Sequence, residues 1–419
     1  MNIEILSISF QSVAMNVLEK SSKVLVQPLC DHCLGRQFGQ LLSGYDNAQR
    51  GQALRSIVAM SIDKEKFTPL LDMSNFADYK FHNLEVKKIK RKKCEICDDL
   101  FLRLGALAEK AAKNSKKYEF ATFLVGTKLS FDLIEKEENL WERVGIDYCE
   151  PLKAEVNREV GKILEKKLNA KFNTRPDVNI IFDLSDNSVN IEINPLFIYG
   201  EYQKLVRGIP QTKWPSRKYR TSVEQLIAKP FMLATRGKEH KLHGMGREDI
   251  DARCLAWRPF VLEIIKPMKR NFDFQKLAKK IDKRVKVRKM RSSDIAEVRK
   301  IKESRADKTY RAIILCDRKI KKSDLKMLNS LKEIKQKTPQ RVLHRRADRF
   351  RHRKIKSIKY KYINPKKFLF EVRAEAGLYI KELISGDDGR TQPNVSLLLG
   401  TQCTCKELDV TGIHAKSGK

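Results

Sequence analysis

The stretch HGMGREDIDARC, residues 243–254, places three carboxylates and two arginines directly behind a pair of glycines. The rest of the chain is strongly basic, with 86 Lys and Arg against 52 Asp and Glu and a formal net charge of +34. A carboxylate repels phosphate, so an acidic turn in a chain suited to polyanions is either a solvated surface feature or a chemical reagent. The surrounding sequence distinguishes these two alternatives.

The large positive charge predicts a polyanionic partner, with nucleic acid favoured over an anionic membrane surface. The sequence contains no run of about 18 apolar residues, so no membrane-spanning helix is predicted. Its first residues, MNIEILSISFQSVAMNVLEK, lack the basic and then apolar pattern of a signal peptide. Nine cysteines, an odd number spread over 419 residues, favour a reducing cytoplasm over a secreted disulfide framework.

Two basic stretches favour RNA as the partner. Residues 266–291 hold twelve Lys or Arg against two Asp. The stretch RVLHRRADRFRHRKIKSIKYK, residues 341–361, interleaves its basic residues with His344, Phe350 and Tyr360. Neutralised phosphates release counterions, and aromatic rings stack on unpaired bases, so two such stretches in one region indicate RNA rather than a solvated helix face. The sequence shows no helix-turn-helix or finger motif, so DNA is not a predicted partner.

The apolar spacing predicts an α+β chain in four parts. Residues 1–110 form a helical region, 111–205 an α+β unit, 206–228 a linker rich in proline and basic residues, and 229–419 the largest domain. A mixed or antiparallel sheet with flanking helices is predicted for that last domain, because its strands and helices follow no strict β-α-β rhythm.

Individual segments carry more specific predictions. DVNIIFDL and SDNSVNIEINPLFIYG alternate apolar and polar residues around a Ser-Asp-Asn-Ser turn, which predicts a hairpin. Four strands are predicted in the last domain: RPFVLEII, YRAIILC, KFLFEVRAE and CKELDVTGI. Two helices are predicted there: NFDFQKLAKKIDK and SDLKMLNSLKEI.

Two Cys-x-x-Cys pairs, Cys30 with Cys33 and Cys94 with Cys97, predict a metal site. Each pair places two thiolates on one side of an ion, and two pairs complete the tetrahedral four-cysteine set typical of structural zinc. The ion would hold two distant segments together. The alternatives are free buried cysteines, or a disulfide or redox pair.

The motifs that would indicate other chemistries do not occur in the sequence. There is no Walker-type phosphate loop, no glycine fingerprint for a dinucleotide or S-adenosylmethionine, and no His-x-x-x-His pair for a catalytic metal. A reaction carried out by a carboxylate, without an organic cofactor, therefore fits the acidic turn best.

Four segments carry a resemblance to the pseudouridine synthases. GRED at 246–249 resembles the turn that presents their essential aspartate, and KTYRAIIL at 308–315 resembles their second motif. AGLYIKELISGDDGRTQPNVSLLLG at 376–400 resembles the third motif, and ELDVTGI at 407–413 the closing strand.

With QKTPQRVLHRRADR at 336–349 and the N-terminal cysteine pairs, the chain resembles one branch of these enzymes. That branch comprises the archaeal and eukaryal tRNA pseudouridine synthases that act on T-loop positions 54 and 55. The α+β unit within 111–205 is similar to the THUMP module with which this family binds tRNA. The resemblance implies a pseudouridine-synthase-like sheet in the last domain.

The resemblance also implies site residues. Asp249 corresponds to the catalytic aspartate, and Tyr310 to the tyrosine that stacks on the flipped uracil. Lys381 corresponds to the basic residue that pairs with the aspartate and keeps it ionised. Ile380 and Leu408 correspond to apolar residues that line the pocket.

Neighbouring positions carry further predictions. Arg247 in the acidic turn and Arg345 in the second basic stretch are predicted to bind the substrate. Asp251 is the alternative catalytic carboxylate, or otherwise a structural partner of Arg253. Residues Ala256–Trp257 stand where the family pattern has a glycine-containing link, and this departure leaves the preference between the two uridines open.

Other functions remain open at this point. A non-catalytic, zinc-containing RNA-binding protein would share the charge and the cysteines, and a pseudouridine synthase could act on another RNA. A different THUMP-bearing enzyme, such as a methyltransferase, thiouridine synthase or deaminase, would need motifs that the sequence lacks. The sequence does not indicate the oligomeric state.

Overall fold

The computed structural model describes residues 17–415, except residues 67–69, 88 and 217 and the side chain of Arg345. It divides into two compact units, Met1–Asn194 and Pro195–Lys419. Both units combine helices with a sheet, which confirms the predicted α+β class. Within the described part of the chain, no helix is both long enough and apolar enough to span a membrane.

The first half of the first unit is helical. Residues 17–24 form a helix, and a capping box between Asp46 and Gln49 starts the longest helix of this region. The labelled helices are α1 (Asp31–Gly35), α2 (Asn47–Glu65) and α3 (Leu100–Ser115), with 3₁₀ turns at Arg36–Phe38 and Met73–Phe76.

A four-stranded sheet with two helices completes the first unit. Its elements are β1 (Thr122–Lys128), α4 (Phe131–Val144), α5 (Leu152–Leu168), β2 (Lys171–Phe172), β3 (Val178–Asp183) and β4 (Ser188–Ile193). The strand order is β2-β1-β3-β4, with β1 parallel to both of its neighbours. Strands β3 and β4 form the predicted hairpin, with Asp183 opposite Ser188.

The second unit contains a ten-stranded mixed sheet. Its first elements are β5 (Leu196–Lys204), α6 (Val223–Thr235), β6 (Glu239–Gly244), β7 (Arg253–Ile265), α7 (Phe274–Ala278), β8 (Val285–Ser293) and α8 (Ile295–Glu303). The remaining elements are β9 (Asp307–Cys316), β10 (Glu333–Lys337), β11 (Phe350–Asn364), β12 (Lys367–Ala374), α9 (Ile380–Ser385), β13 (Thr391–Gln392), α10 (Val395–Leu399) and β14 (Cys403–His414), with 3₁₀ turns at Asp324–Ser330 and Gln340–Arg345.

The strand order of this sheet is β13-β10-β11-β12-β9-β14-β7-β5-β8, with β6 paired to β7. Strands β14 and β7 are parallel, and the other described pairs are antiparallel. Strand β14 therefore joins two antiparallel halves, and the beginning of β7 lies beside Asp409 and Val410 of β14. This junction brings the acidic turn before β7 next to β14.

The four predicted strands of the last domain are confirmed as parts of β7, β9, β12 and β14. Three local predictions were wrong. SDLKMLNSLKEI, which was predicted to be a helix, is a 3₁₀ turn followed by the start of β10. In β10, buried Ile334 and Gln336 alternate with residues that are not buried, as expected for a strand. NFDFQKLAKKIDK is helical only over α7, and PLFIYG belongs to β5 in the second unit's sheet.

Residues Ala256–Trp257 lie inside β7 rather than in a link. The register between β5 and β7 shifts here, from Tyr202 opposite Arg258 to Lys204 opposite Cys254. The Arg288 guanidinium lies 4.3 Å from the centre of the Trp257 ring.

Candidate active site and metal site

The acidic turn, residues 245–252, connects β6 to β7. Gly246 adopts φ +77°, and a Cβ atom there would lie 3.3 Å from both Arg258 Nη1 and Lys308 Nζ. A side chain at this position would therefore be strained by its backbone and crowded by two cations. The glycine fixes the start of the turn.

Side chains from outside the turn bind its carbonyl groups. The hydrogen bonds run from Arg258 to Met245 (2.7 Å), from Gln211 to Gly246 (3.0 Å), from Lys204 to Asp249 (3.0 Å) and Ile250 (3.2 Å), and from Arg207 to Asp251 (3.0 Å). Burial lowers the pKa of Lys204, although the charge of Glu248 opposes this shift. Because several independent donors hold it, the backbone of the turn is preorganised.

Glu248 is the structural carboxylate of the turn. It accepts hydrogen bonds from the Tyr202 hydroxyl at 2.9 and 3.1 Å and forms an ion pair with Arg258 at 3.1 Å. The side chains of both Glu248 and Arg258 are completely buried. A carboxylate so enclosed cannot meet a macromolecular substrate, so Glu248 is excluded as the reagent.

Asp249, in contrast, is accessible and lies between two cations. Its side chain is 31% exposed, with Arg341 Nη1 at 3.2 Å and Lys381 Nζ at 3.5 Å from its two oxygens. Arg341 also donates through Nε to Glu382 at 2.6 Å, which fixes the guanidinium. The predicted pairing of Lys381 with Asp249 is present in the structure.

Asp251 has a different partner from the one predicted. Lys381 Nζ lies 2.6 and 2.7 Å from its oxygens, whereas Arg253 binds Asp409 at 2.7 and 3.0 Å. Burial opposes ionisation of Asp251, but the hydrogen bond and charge of Lys381 outweigh it and lower its pKa. The prediction that Asp251 pairs with Arg253 was wrong, because the β7–β14 register places Arg253 opposite Asp409.

The predicted pocket residues lie on elements around this turn. Ile380 and Leu408 are buried in one apolar cluster, and Tyr310 packs against it from β9. Burial raises the pKa of Tyr310 to about 12; the charge of Arg258 opposes this and the Asp249 carboxylate adds to it. Tyr310 is therefore a neutral phenol at neutral pH, near the accessible carboxylate.

Of the two other predicted substrate-binding residues, Arg247 is not brought into this cluster. Arg247 is exposed, and within the described part of the chain its side chain makes no hydrogen bond or ion pair with the acidic residues. Arg345 ends a 3₁₀ turn, but its side chain lies outside the described residues. The sequence analysis missed Arg341 and Glu382. Only the basic stretch around Arg341 signalled its position, because its partners lie 92 and 41 residues away in the chain.

The four predicted metal ligands meet in the first unit. The Sγ atoms of Cys30, Cys33, Cys94 and Cys97 all lie within 4.8 Å of one another, and Cys30 and Cys97 are 3.6 Å apart. Four sulfurs about 2.3 Å from a tetrahedral zinc ion would be about 3.8 Å apart, so the cluster fits the ion. Hydrogen bonds from the Cys30 and Cys33 thiols lower the pKa of Cys94, which favours a thiolate there.

The backbone prepares both cysteine pairs. Cys30 caps α1 and its sulfur accepts the Cys33 N–H at 3.4 Å. In the second pair, Asp99 accepts the Cys94 N–H at 3.1 Å. A hydrogen bond from Glu95 N–H to Pro28 O at 2.9 Å joins the two segments directly. The arrangement therefore does not depend on an ion alone.

Comparison with protein families identifies the chain. The family model described as Pus10, C-terminal, matches residues 197–414, which cover the sheet and the acidic turn. The chain belongs to the Pus10 family. A second model, described as Pus10 THUMP domain, archaeal, matches residues 107–183 in the first unit.

Curated relatives named tRNA pseudouridine synthase Pus10 match over nearly the whole chain. The relative from Methanocaldococcus jannaschii is 40% identical over 92% of this chain and 92% of its own length. The relative from Pyrococcus furiosus is 37% identical and covers 94% of this chain and 97% of its own. The chain is thus a pseudouridine synthase, an enzyme of the isomerase class.

Solved structures are more distant from this Pus10 chain. A Cbf5-Nop10-Gar1 complex is similar at 19% identity and a TM-score of 0.31, over 51% of this chain and 48% of the matched chain. A structural similarity at that level does not support conclusions about the site.

Proposed function

We propose that this Pus10 chain converts uridine to pseudouridine in the T-loop of tRNA, at positions 54 and 55. The observation that carries the proposal is the accessible Asp249 carboxylate between Arg341 and Lys381, on a turn with a preorganised backbone. The name shared by the curated relatives supports tRNA as the substrate, and the match to the THUMP domain supports a role of the first unit in binding it.

The reaction breaks the bond between C1′ of the ribose and N1 of uracil and joins C1′ to C5. A proton leaves C5 and N1 gains one, so the product is an isomer and no cofactor is consumed. Asp249 would act at this glycosidic centre in its ionised form. Arg341 Nη1 and Lys381 Nζ, 3.2 and 3.5 Å from its oxygens, would offset its negative charge as the RNA approaches.

The uridine must leave its stack before Asp249 can reach it. Tyr310 would then receive the base on its ring, while Ile380 and Leu408 form the apolar wall behind it. Arg247 and Arg345 are proposed to contact the RNA backbone around this pocket. The remaining basic surface would offset the repulsion between Asp249 and the phosphates.

The proposal also assigns roles to the parts of the chain, a metal to the cysteine cluster and a cellular location. Residues 1–110 would form a zinc-stabilised region, and residues from 111 to Asn194 the THUMP-like tRNA-binding module. The catalytic domain would include residues from Pro195 onward, because β5 belongs to its sheet. The predicted linker at 206–228 would then lie within this domain, since Val223 and Ile227 of α6 are buried in its core. A structural zinc ion would be held by four cysteines, Cys30, Cys33, Cys94 and Cys97. Their four sulfurs fill the tetrahedral site, so no coordination position is left open for water. The nine free thiols support a cytoplasmic location.

The test is an incubation of purified protein with unmodified tRNA transcripts, with pseudouridine mapped by carbodiimide-blocked reverse transcription. Transcripts with cytidine at position 54 or 55 separate the two sites. We expect product with the wild type, none with Asp249→Ala, and product with the control Asp251→Ala at a reduced rate. Equal product from wild type and Asp249→Ala would contradict the assignment of Asp249. The absence of product from both would favour a protein that only binds RNA.

A further inference from the structure

The outer face of strands β10 and β11 carries an exposed aromatic ring among cations. Lys337 lies opposite Phe350 in the ladder, and Lys335 lies opposite His352. The intervening residues of β10, Ile334 and Gln336, are buried on the other face. The face formed by Lys335, Lys337, Phe350 and His352 is called the β10–β11 platform below.

Phe350 is not part of the core. Its side chain is 57% exposed, and the ammonium groups of Lys335 and Lys337 lie 4.7 and 5.6 Å from the centre of its ring. A single exposed ring needs no ligand to explain it. A ring with two ammonium groups over it nevertheless presents a flat surface together with positive charge, which suits a ligand with a flat ring and negative charge. A nucleotide has both.

Charge on and beside the platform is complementary to nucleic acid. Two acidic residues beside the platform form ion pairs. Asp348 lies 3.0 Å from Lys337, which would exchange this partner for a phosphate when RNA binds, and Glu333 lies 3.4 Å from Lys354. Residues two apart on one face of a strand are about 6.6 Å apart, so Phe350 and His352 present two rings in a row. Rings in a positively charged groove are the means by which proteins bind single strands.

The platform is connected to the proposed active site by the chain itself. The segment between Lys337 and Phe350 contains the 3₁₀ turn Gln340–Arg345, from which Arg341 reaches Asp249 at 3.2 Å. The platform and the turn that carries Arg341 are therefore consecutive in the chain. Rings that project from a flat sheet face cannot reach bases stacked inside a duplex, which favours an unpaired strand.

We propose that the β10–β11 platform stacks an unpaired base of the substrate RNA that neighbours the target uridine, while Lys335 and Lys337 bind the adjacent phosphates. This inference rests on the proposed function, because it takes the T-loop of tRNA as the substrate. Phe350 supplies the stacking surface, and its lysines move from the ring to the backbone when the base arrives.

The test compares two RNAs of equal length, a T-arm hairpin with its loop and a perfect duplex, in equilibrium binding to the full chain. Phe350→Leu should weaken binding of the hairpin by roughly 5- to 150-fold, the loss expected for one stacked base, and leave the duplex unaffected. Phe350→Trp should retain hairpin affinity. Lys335→Gln with Lys337→Gln should lower the slope of log K against log salt by about one for each lysine.

Ile363→Ala is the matched control, because Ile363 is an exposed apolar residue on the same strand, β11, with 46% exposure. It should bind both RNAs as the wild type does. Thermal unfolding verifies that the variants fold. Wild-type hairpin affinity in Phe350→Leu would overturn the platform, and so would an equal loss on the duplex. If wild-type protein forms no pseudouridine but Phe350→Leu still loses hairpin affinity selectively, the proposed function fails and the platform stands.

Discussion

Three carboxylates within four residues of one turn have three different environments, and these environments separate their roles. Glu248 is enclosed with Arg258, Asp251 is 68% exposed and bound to Lys381, and Asp249 is 31% exposed between two cations. The enclosed carboxylate of Glu248 supports the structure of the turn, and the largely exposed carboxylate of Asp251 forms an ion pair with Lys381. Asp249 alone among the three combines access with two neighbouring charges, as a charged reagent requires.

Arg341 is predicted to be a positioning residue that acts through Asp249. Its Nε donates to Glu382 and its Nη1 to Asp249, so the guanidinium bridges the two carboxylates. Arg341→Gln removes a charge-assisted hydrogen bond worth about 1.5–3 kcal/mol, so kcat for pseudouridine formation should fall about 10- to 150-fold with KM nearly unchanged. Arg341→Lys should recover only part of the rate, because an ammonium group cannot reproduce the planar guanidinium geometry that contacts Glu382 and Asp249 together.

The split between kcat and KM distinguishes this role from plain RNA binding. Arg346→Gln changes an exposed arginine of the same basic stretch and should raise KM without lowering kcat. An Arg341→Gln variant that raises only KM would show that Arg341 contacts the RNA backbone and does not position Asp249.

At the scale of elements, the acidic turn depends on a buried ion pair beneath it. Glu248 and Arg258 have completely buried side chains, and Arg258 also holds the carbonyl of Met245. Glu248→Gln leaves a buried, uncompensated guanidinium and should lower the free energy of unfolding by about 3–5 kcal/mol in urea titrations. Arg258→Met should have a similar effect, since it leaves the carboxylate unpaired.

A double-mutant cycle checks this coupling. Glu248→Gln combined with Arg258→Met should lower the free energy of unfolding by much less than the sum of the two single changes. Glu333→Gln is the control, because its ion pair with Lys354 is 72% and 62% exposed and should contribute less than about 1 kcal/mol. Additive effects of the two buried changes would contradict the proposed coupling.

The strands of the second unit were predictable because their residues alternate between a buried and an open face. β7 and β12 show this alternation along most of their length. SDLKMLNSLKEI was misassigned because apolar residues three apart, such as Leu325 and Leu328, fit a 3₁₀ turn and an α-helix equally well. β5 was placed in the wrong unit because the order of strands in a sheet is not encoded in local periodicity.

The residues of the proposed site that could be named from the sequence are those that lie in motifs. Asp249, Lys381 and Tyr310 lie in recognisable segments, and the structure brings them close together. Arg341 lies in a stretch where many arginines look alike, and only the tertiary fold shows which one reaches the carboxylate. The pairing of Asp251 likewise depends on the β7–β14 register, which local sequence does not specify.

For the whole molecule, the two units have separate cores. The apolar cluster around Cys94 and Cys97 consists of residues up to Ile193, while the clusters around the sheet with the acidic turn begin at Leu196. We therefore expect each core to unfold by its own transition. The distribution of chemistry follows this separation, with the four-cysteine cluster in one unit and Asp249 in the other.

Removal of the proposed metal should consequently affect one unit. Chelation by 1,10-phenanthroline, or Cys94→Ser, breaks the link between the segments around Cys30 and Cys94, so calorimetry should show one transition moving to lower temperature and one unchanged. Metal analysis should find one zinc ion per chain before treatment and none after it. The control Cys405→Ser changes a cysteine of the second unit outside the cluster and should leave the first unit's transition in place.

Because Asp249 and its cations belong to the unaffected unit, pseudouridine formation at saturating RNA should persist while the RNA concentration needed for half-maximal rate rises. If both transitions move together, or if kcat disappears with the metal, the units are energetically one body and the cysteines support the catalytic sheet as well.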